Sequence, residues 1–594
     1  MPRPSVSIPR PTHPAWTVTL GWSLILAAGC GEPASPEPAA SSADEYTDAA
    51  DGRAHPPENT PPLFLTDVTE ESGLDMFITS GEMPHTLLLE AKGAGLAVID
   101  YNNNGLWDIF VPNGATIDDT EHGPGWGFFE NRGGMQFRNV TESVGITQTR
   151  WALGAGVGDL TGNGFDDIYV ACFGRNVLLS NSGHGRFIEN TAEAGLDHGG
   201  WSTSIALGDL TGNGFLDIYL VNYLEYDVEN PPPPSQFLGT EVFSGPRGIP
   251  GRADVLFFNN GDGTFTDVTT TSGADDVIPS YGLGAVILDF DGNGRQDIYV
   301  GNDSMANFLF MNQGDGTFVE RGRLSGIASN IEGNNQATMG IAIADLSGNR
   351  LPDVFTSNFS SDHNTLHVNV GGGFFEDQTR RYGLGLVSRP YLGWASAFVD
   401  LDHDGREELL VVNGHVYPHA TLEQMDSPYE QPPLLFKREA SHPTRFSRIT
   451  DPRVGDWLMT PRRDRALAFA DFDRDGDVDL LAGEINGPVR LLRNEGEKPG
   501  RWLTVQLRDE RAGIANRRGL GSRIELIVDD HHMTRWIYSG GFMSVNAPEA
   551  YFGLPRGLAG AHAEVRVTWP DGTTQQETIN DEFDRIVVVQ RDDS

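Results

Sequence analysis

The nine residues DFDRDGDVD at positions 471–479, followed by the apolar run LLAGE, decide the fold of this chain. Carboxylates or short polar side chains stand at positions one, three, five and nine of the motif, and glycine stands at position six. Successive copies start 50 to 80 residues apart, which indicates a repeat architecture. The other six copies are DYNNNGLWD from Asp100, DLTGNGFDD from Asp159, DLTGNGFLD from Asp209, DFDGNGRQD from Asp289, DLSGNRLPD from Asp345 and DLDHDGREE from Asp400.

Oxygen atoms from alternate residues of a tight loop can converge on one point. A hard cation such as Ca²⁺ takes about six to eight oxygen ligands at about 2.3–2.6 Å. We therefore predict several calcium sites, up to seven, with a backbone carbonyl near position seven as a further ligand. The candidate ligands are Asp100, Asn102, Asn104, Asp108, Asp159, Thr161, Asn163, Asp167, Asp209, Thr211, Asn213, Asp217, Asp289, Asp291, Asn293, Asp297, Asp345, Ser347, Asn349, Asp353, Asp400, Asp402, Asp404, Glu408, Asp471, Asp473, Asp475 and Asp479.

The seven loops differ in charge. The Asp400 and Asp471 loops carry four carboxylates each at the ligand positions, the Asp289 loop carries three, and the other four carry two. Since calcium affinity rises with the number of charged ligands, we expect the first two loops to bind most tightly. Arg350 replaces the glycine of the fifth copy, where a left-handed backbone strains a residue with a side chain. We expect that site to be the weakest.

An EF-hand and a plain β-turn are two other interpretations of the motif. An EF-hand shares the first nine positions but needs Glu at position twelve and flanking helices. Here position twelve is Val111, Val170, Leu220, Val300, Thr356, Val411 or Ala482, and the runs after position nine favour strands. Plain β-turns also use Asp, Asn and Gly, but the carboxylate at position nine recurs in all seven copies, which favours a metal site.

A second phrase follows most of the loops and reads as strand, Asn- and Gly-containing turn, strand, which predicts a hairpin. With the strands that flank the loop, each repeat then has four strands, and repeated four-stranded units indicate a β-propeller. The seventh copy lacks a fourth-strand phrase, whereas FLTDVT at positions 64–69 is such a phrase without a loop. We predict seven blades, with the N-terminal strand completing the last. The hairpin phrases start at Phe128, Leu178, Leu256, Leu309 and Leu366.

The tail of the chain has short runs of alternating apolar and polar residues, which predict strands, and a Pro-Asp-Gly turn at positions 570–572. A small all-β domain fits this pattern, and nothing in it has the spacing of metal ligands or of a catalytic nucleophile. The predicted strands are residues 502–507, 523–528, 535–538, 564–569 and 585–589.

The repeats resemble the FG-GAP or VCBS repeats of integrin-α-type propellers, and the tail resembles the ASPIC/UnbV domain of the cartilage-acidic-protein-like family. The phrases that carry the resemblance are GNDS (301–304), MG (339–340) and NGHVYP (413–418) in the repeats, and NRRGLG (516–521), SGGFMS (539–544) and VTWPDG (567–572) in the tail. It implies an all-β chain: a seven-bladed propeller at residues 63–498 and an ASPIC/UnbV-like β domain at residues 499–594. A disulfide that relatives often have near Ser244-Gly245-Pro246 is absent, since only Cys30 and Cys172 occur.

The N-terminus has the features of an export signal. Arg3 and Arg10 precede a short apolar stretch that ends in LAAG before Cys30, similar to the lipidation motif of bacterial lipoproteins. Leucine lies one residue too early for a full match, so secretion after a small-residue cleavage site is the alternative. Residues 31–62 are rich in Pro, Ala, Ser and Glu and predict a disordered tether. We expect residues 1–30 to be removed or to leave a lipidated Cys30, which places the protein at the outer membrane or cell surface, or outside the cell.

Charge and motifs limit the function. With 83 acidic and 42 basic side chains, the formal charge of −41 argues against nucleic acid or anionic lipid as a direct partner, so a membrane is expected to be contacted only through the lipid anchor. The sequence leaves the oligomeric state open. Catalytic motifs such as G-x-S-x-G and H-E-x-x-H are missing, and His415, the best single catalytic candidate, has no identifiable paired acid.

Three functions are consistent with these features. The first is a non-catalytic cell-surface module that binds a protein or a polysaccharide through its loops, with the Pro-rich insertion at residues 225–253 as the candidate contact surface. The second is a carbohydrate-active hydrolase or lyase that uses the propeller channel. The third is a structural or assembly protein whose tail domain packs on a partner.

Overall fold

A computed structural model describes residues 63–498, 500–555, 558, 562–580 and 583–593. The chain forms a seven-bladed β-propeller followed by a small all-β domain, which confirms the predicted fold class. Each blade has four antiparallel strands, and the second strand of blade 2 also pairs with the first strand of blade 3, so that these two blades share one sheet. The predicted signal at residues 1–30, Cys30 and the tether at residues 31–62 lie outside the described residues.

The strands of the first six blades follow the chain. Blade 1 consists of Ala97–Ile99, Asp108–Val111, Gly127–Asn131 and Phe137–Asn139. Blade 2 consists of Ala152–Gly158, Asp167–Arg175, Val177–Asn181 and Phe187–Glu189, and blade 3 of Gly199–Gly208, Asp217–Asn222, Val255–Asn259 and Phe265–Asp267. Blade 4 consists of Gly282–Leu288, Asp297–Asn302, Phe308–Asn312 and Phe318–Glu320, and blade 5 of Ile341–Ala344, Asp353–Thr356, Thr365–Gly371 and Phe374–Asp377. Blade 6 consists of Gly393–Val399, Glu408–Asn413, Leu434–Glu439 and His442–Arg448.

Blade 7 joins the two ends of the propeller. Its first three strands are Asp464–Ala470, Asp479–Glu484 and Gly487–Asn494, and its fourth is the N-terminal Leu65–Asp67. Leu65 pairs with Asn494 and Asp67 with Leu492, which confirms that residues 64–69 complete the last blade. A further strand of two residues, Phe77–Ile78, pairs with the start of the third strand. The seam is thus closed by main-chain hydrogen bonds, which give the outer side of the third strand of blade 7 a partner.

The first strands of neighbouring blades contact one another in a complete cycle, from blade 1 through blade 7 and back to blade 1. A second cycle runs through side chains at the end of the third strand. In six blades an asparagine donates its amide protons to the carbonyl of loop position eight in its own blade and to that of position two in the preceding blade. These residues are Asn131, Asn181, Asn259, Asn312, Asn369 and Asn494. In blade 6 the Arg438 guanidinium donates to the carbonyl of Leu346 instead.

The tail consists of two sheets around one core. One sheet contains Glu549–Leu554, Arg501–Asp509 and Arg585–Arg591, and the other contains His531–Trp536, Arg523–Val528, His562–Thr568 and Thr574–Asn580. The prediction placed Arg523–Val528 correctly but began the next strand too late, at residue 535. It also missed Glu549–Leu554, since a strand buried along its whole length has no polar alternation, and Thr574–Asn580, since that strand is almost wholly polar.

The remaining elements are short. Four single-turn helices, Thr69–Ser72, Thr269–Ser272, Gly322–Ser325 and Asp456–Met459, and three 3₁₀ turns, Leu88–Ala91, Pro418–Thr421 and Pro452–Val454, lie in the connections. The insertion of blade 3 contains a hairpin of Ser235–Phe237 and Thr240–Val242. Among the described residues there is no helix of the length and apolarity that crossing a membrane requires.

Candidate metal centres on one face of the propeller

All seven acidic loops connect the first strand of a blade to its second, and the position-nine carboxylate is the first residue of that second strand. They therefore lie on one face of the propeller, which we call the loop face. The connections between second and third strands lie on the opposite face, because successive turns of an antiparallel sheet alternate between its ends. The strand–loop–strand context differs from the helix–loop–helix of an EF-hand.

The loops share one hydrogen-bond frame. The backbone N–H groups of positions five and six donate to the two carboxylate oxygens of position one, and the N–H of position seven donates to the side-chain oxygen of position five. The position-nine carboxylate accepts from the N–H of position two. All of these bonds occur in every loop, with distances of 2.7–3.3 Å.

The frame needs a left-handed backbone at positions four and six. Position six is Gly in six loops and Arg350 in the fifth, where φ is 66°. The strained backbone expected at Arg350 is therefore present, and its effect on affinity stays a prediction. Position four is left-handed as well, with Asn103, His403 and Arg474 at φ of 55°, 55° and 63°. The sequence analysis overlooked position four, although Gly occupies it in the other four loops.

Three loops bring carboxylates close enough to hold one metal ion. Their oxygens lie within 4.8 Å of one another in the groups Asp289, Asp291 and Asp297; Asp400, Asp402 and Asp404; and Asp471, Asp473 and Asp479. These are the three loops with the most carboxylates. The donors are all hard oxygens, the ligand type that Ca²⁺ and Mg²⁺ prefer. In the remaining loops the predicted ligands share the same frame with fewer charges, and their role as ligands stays a prediction.

Burial disfavours the charged form of the carboxylates at position nine of the loops. It raises the pKa of Asp108 and of Asp217 to about 8, although each accepts a hydrogen bond from a third-strand N–H. It also raises the pKa of Asp297 and Asp479 well above the usual range, and neighbouring loop carboxylates add to the effect. A cation bound in the loop would reverse this effect by stabilising the ionised form.

Blade 6 differs because the lysine that enters its loop contacts carboxylates at the predicted ligand positions. In blade 7 Lys498 lies 2.8 Å from Asp477 Oδ2, at loop position seven, where the side chain is not a predicted ligand. The Lys437 ammonium, in the third strand, donates a hydrogen bond to Asp402 and lies 3.0 Å from Asp404 Oδ2 and 3.9 Å from Glu408 Oε1. These carboxylates hold the pKa of Lys437 above its usual range even though burial opposes that shift. The sequence analysis missed Lys437, which lies 29 residues beyond Glu408.

The tail domain covers the loop face and touches loops all round the ring. Arg518 bonds Asp166 at 2.8 Å and lies 3.9 Å from Asp100, and the N–H groups of Ala515 and Asn516 donate to Gly214. Further contacts are Gly521 against Gln296, Arg523 with Arg350, Gly553 N–H with Asp400, Arg535 with Glu407 and Arg474 with Glu549.

A segment of the tail also enters the propeller axis. Gly540–Gly541 pairs with the first strand of blade 4. The Val545 N–H donates to the carbonyl of Leu96 at 2.8 Å, and the Val545 carbonyl accepts from the N–H of Val98, in the first strand of blade 1, at 3.0 Å. Phe542 and Met543 belong to one buried cluster with Leu89 and with Leu153, Trp201, Leu283, Trp394 and Leu467 from the first strands of five blades, and the Phe542 ring lies 5.5 Å from that of Trp394. Among the described residues the axis is therefore filled with side chains.

His415 is fixed in a structural role by its contacts. Its side chain is fully buried, Nδ1 accepts the N–H of Tyr417, and Nε2 lies 3.3 Å from Asp426 Oδ1. Its main-chain carbonyl accepts from the buried Arg465. The expectation that His415 has no paired acid was therefore wrong, because Asp426 follows it by eleven residues in the same connection and no motif marks the pair. Enclosed in this way, His415 anchors the connection between the second and third strands of blade 6.

Comparison with known protein families agrees with this architecture. A family model described as FG-GAP-like repeat matches residues 159–220, 240–300, 289–356 and 345–411, and one described as ASPIC and UnbV matches residues 513–594. Cartilage acidic protein 1 of Mus musculus is 27% identical over 292 residues, which are 48% of this chain and 41% of the relative. The protein of that name from Homo sapiens is 27% identical over 282 residues, 46% of this chain and 39% of the relative. The matches thus span less than half the length of these relatives.

Solved structures show only weak similarity. An Agrocybe aegerita lectin, described for its recognition of non-reducing terminal N-acetylglucosamine, aligns with 68% of this chain and 94% of its own, at a TM-score of 0.37 and 16% identity. BBS1N in complex with ARL6DN aligns with 73% of this chain and 97% of its own, at a TM-score of 0.35 and 10% identity. TM-scores this low do not establish a shared fold, and the propeller rests on its own strand pairing.

Proposed function

Because this chain belongs to the FG-GAP-repeat proteins that end in an ASPIC/UnbV domain, we propose that it is a calcium-binding, non-catalytic propeller that binds a protein or a polysaccharide outside the cell. The proposal is supported by the difference between the two faces of the propeller. The loop face holds the oxygen ligands and is covered by the chain's own tail domain. The opposite face carries the insertions.

Calcium would be held by the side chains at positions one, three, five and nine of the loops, and it would neutralise buried carboxylates between two strands of a blade. The expected role is stabilisation, since the loops are enclosed between blade and tail. The alternative function is a carbohydrate-active centre in the propeller channel. Among the described residues side chains fill the axis, so this alternative lacks an open channel.

The opposite face offers the contact surface. The blade 3 insertion packs on the blade 6 connection, with the rings of Phe237 and Phe243 5.3 and 4.9 Å from that of Tyr417, and Gln424 bonds Thr240 at 3.1 Å. Leu238 and Leu422 remain 54% and 42% exposed on these two segments. Apolar side chains on loops held by a rigid scaffold are suited to recognition.

Calcium binding is tested by thermal melting in millimolar Ca²⁺ and in a chelator. One site at 100 times its Kd adds about 2.7 kcal/mol, so calcium is expected to raise the melting temperature markedly. Asp473→Asn is expected to reduce the rise, while Glu193→Gln, on the exposed outer surface, is expected to leave it unchanged. Equal melting temperatures in calcium and chelator would exclude the metal.

Ligand binding is tested on a glycan array and in a pull-down with calcium present. The double variant Leu238→Asp, Leu422→Asp is expected to lose the captured ligand. The matched control is Ile188→Asp, an exposed apolar residue in a fourth strand. Retention by both variants would place recognition elsewhere, and turnover of a captured glycan would favour an enzyme.

We propose that the protein is exported and anchored through Cys30, or else secreted. Palmitate labelling that disappears in Cys30→Ser supports the anchor, and an unlabelled wild-type protein supports secretion.

A further inference from the structure

Blade 6 has the same number of loop carboxylates as blade 7, but different surroundings. In both loops four carboxylates stand at positions one, three, five and nine. In blade 6 the Lys437 ammonium bonds Asp402 and approaches Asp404 and Glu408. In blade 7 the residue at the equivalent place is Arg493, since Leu480 pairs with Leu492 as Leu409 pairs with Phe436. The Arg493 guanidinium pairs with Glu495 instead of the loop.

The third strand of blade 6 departs from the other blades at the next residue as well. The other six have an asparagine there, whose backbone N–H donates to the position-nine carboxylate. Blade 6 has Arg438, whose guanidinium reaches the carbonyl of Leu346 at 3.1 Å. Blade 6 thus has two consecutive basic residues where the other blades have Glu130, Ser180, Phe258, Met311, Val368 or Arg493 followed by asparagine, and only blade 6 has Glu at position nine.

An ammonium in this place excludes a calcium ion. Calcium needs the same carboxylate oxygens at about 2.3–2.6 Å, and Lys437 already donates to one of them and lies 3.0 Å from another. A metal ion could enter only after the lysine left and a partly buried charge lost its partners, which is costly. The covalently tethered ammonium also has a high effective concentration at the site.

We propose that blade 6 binds no calcium and that Lys437 is its built-in cation, so that the carboxylates of this loop have a counter-charge at any calcium concentration. The inference rests on the proposed function, in which the other acidic loops bind calcium. It reverses the expectation from carboxylate counting, since the Asp400 loop becomes the one that needs no metal and the Asp471 loop remains the strongest site.

The test counts bound calcium per chain by elemental analysis after equilibrium dialysis of the full protein. Lys437→Met is expected to bind one more ion than the wild type, because four carboxylates lose their counter-charge. The matched variant Arg493→Met is expected to bind the wild-type number. In the wild-type background Asp402→Ala, which removes a ligand oxygen, is expected to leave the number unchanged, whereas Asp473→Ala loses one ion.

Loss of one ion in Asp402→Ala would overturn the inference, and this readout does not depend on a Lys437 variant that folds. A wild-type protein that binds no calcium would instead contradict the proposed function. In that case melting in a chelator decides the inference: Lys437→Met is expected to melt below Arg493→Met, and equal melting temperatures would overturn it.

Discussion

At the scale of single residues, the loop motif fixes backbone conformation as much as it supplies ligands. Asp at position one accepts two backbone N–H groups, and positions four and six must be left-handed, as Asn103 and Arg350 show at φ of 55° and 66°. Asn and Gly tolerate this conformation best. Side-chain oxygens can converge only because the backbone is held in this form.

The pH dependence of stability is expected to reflect Asp464, a fully buried residue away from the loops. Burial, assisted by the Glu484 carboxylate, raises its pKa to about 7. Since an unfolded Asp titrates near about 3.9, the stability contributed by neutral Asp464 is fully present below that pH and is lost as the pH rises through about 7.

Asp464→Asn stays neutral at every pH and is expected to remove this loss. Relative to the wild type, the variant should gain up to roughly 4 kcal/mol between pH 4 and pH 8, from about three pKa units. The measurement is urea unfolding in a chelator at several pH values, with exposed Asp75→Asn as control. Parallel pH curves for Asp464→Asn and the wild type would contradict the assignment.

A second residue-scale prediction concerns the asparagines that join neighbouring blades. Asn259→Ala removes donors to the carbonyls of Leu160 and Leu216, at 3.0 and 3.2 Å. Each buried carbonyl left without a partner costs about 1–3 kcal/mol, so the urea midpoint should fall. The adjacent Asn260→Ala, whose exposed side chain bonds only residues of its own hairpin, should change it little. Equal decreases of the urea midpoint in the two variants would show that the hydrogen bonds between blades contribute no additional stability.

At the scale of elements, two segments far apart in sequence complete the propeller. Leu65–Asp67 provides the missing strand of blade 7, and the segment at residues 539–547 fills the axis from the tail side. The first was predictable because the seventh repeat lacked a strand. The second was not, because SGGFMS at residues 539–544 has no periodicity that reveals a distant partner.

The axial segment depends on a close approach at Gly95. A Cβ there would lie 1.8 Å from the carbonyl oxygen of Met543, so Gly95→Ala should displace the segment at a cost of about 1–3 kcal/mol. The measurement is limited proteolysis, in which cleavage near residues 539–547 should increase. Gly245→Ala is the control, since the nearest atom to its Cβ would be the Tyr417 hydroxyl at 3.8 Å. Unchanged cleavage would show that the segment tolerates the methyl group.

At the scale of the whole molecule, the candidate metal loops form the surface against which the tail domain packs. Gly553 N–H bonds Asp400, Arg518 lies beside Asp100 and Asp166, and Ala515 bonds Gly214. If calcium orders the loops, it must also favour docking of the tail, and docking must favour calcium by the same factor.

Calcium removal is therefore expected to loosen the tail before it unfolds the blades. Hydrogen exchange of the Ala515 and Asn516 amides, which bond Gly214 across the interface, should accelerate in a chelator and slow again with calcium. Amides such as Leu503 and Val505, paired within the tail's own sheet, serve as the internal control. Unchanged exchange at Ala515 and Asn516 would show that docking is independent of the metal.

The sequence by itself determined the repeat, the blade count and the seam. The loop motif recurs with local spacing, and each strand follows directly from it, so these features need only short-range information. It also identified the three loops in which carboxylates cluster, because their charge can be counted from the nine residues.

Only the tertiary structure decided what surrounds the loops. Lys437 enters the blade 6 cluster from a different strand, the tail covers the loop face, and Phe542 and Met543 fill the axis. These contacts join residues distant in the chain, and nothing in local composition specifies which side chain will stand opposite which loop. For that reason the sequence ranked the seven loops by their own charges alone, and the fold decided which of those charges meet a cation from elsewhere in the chain.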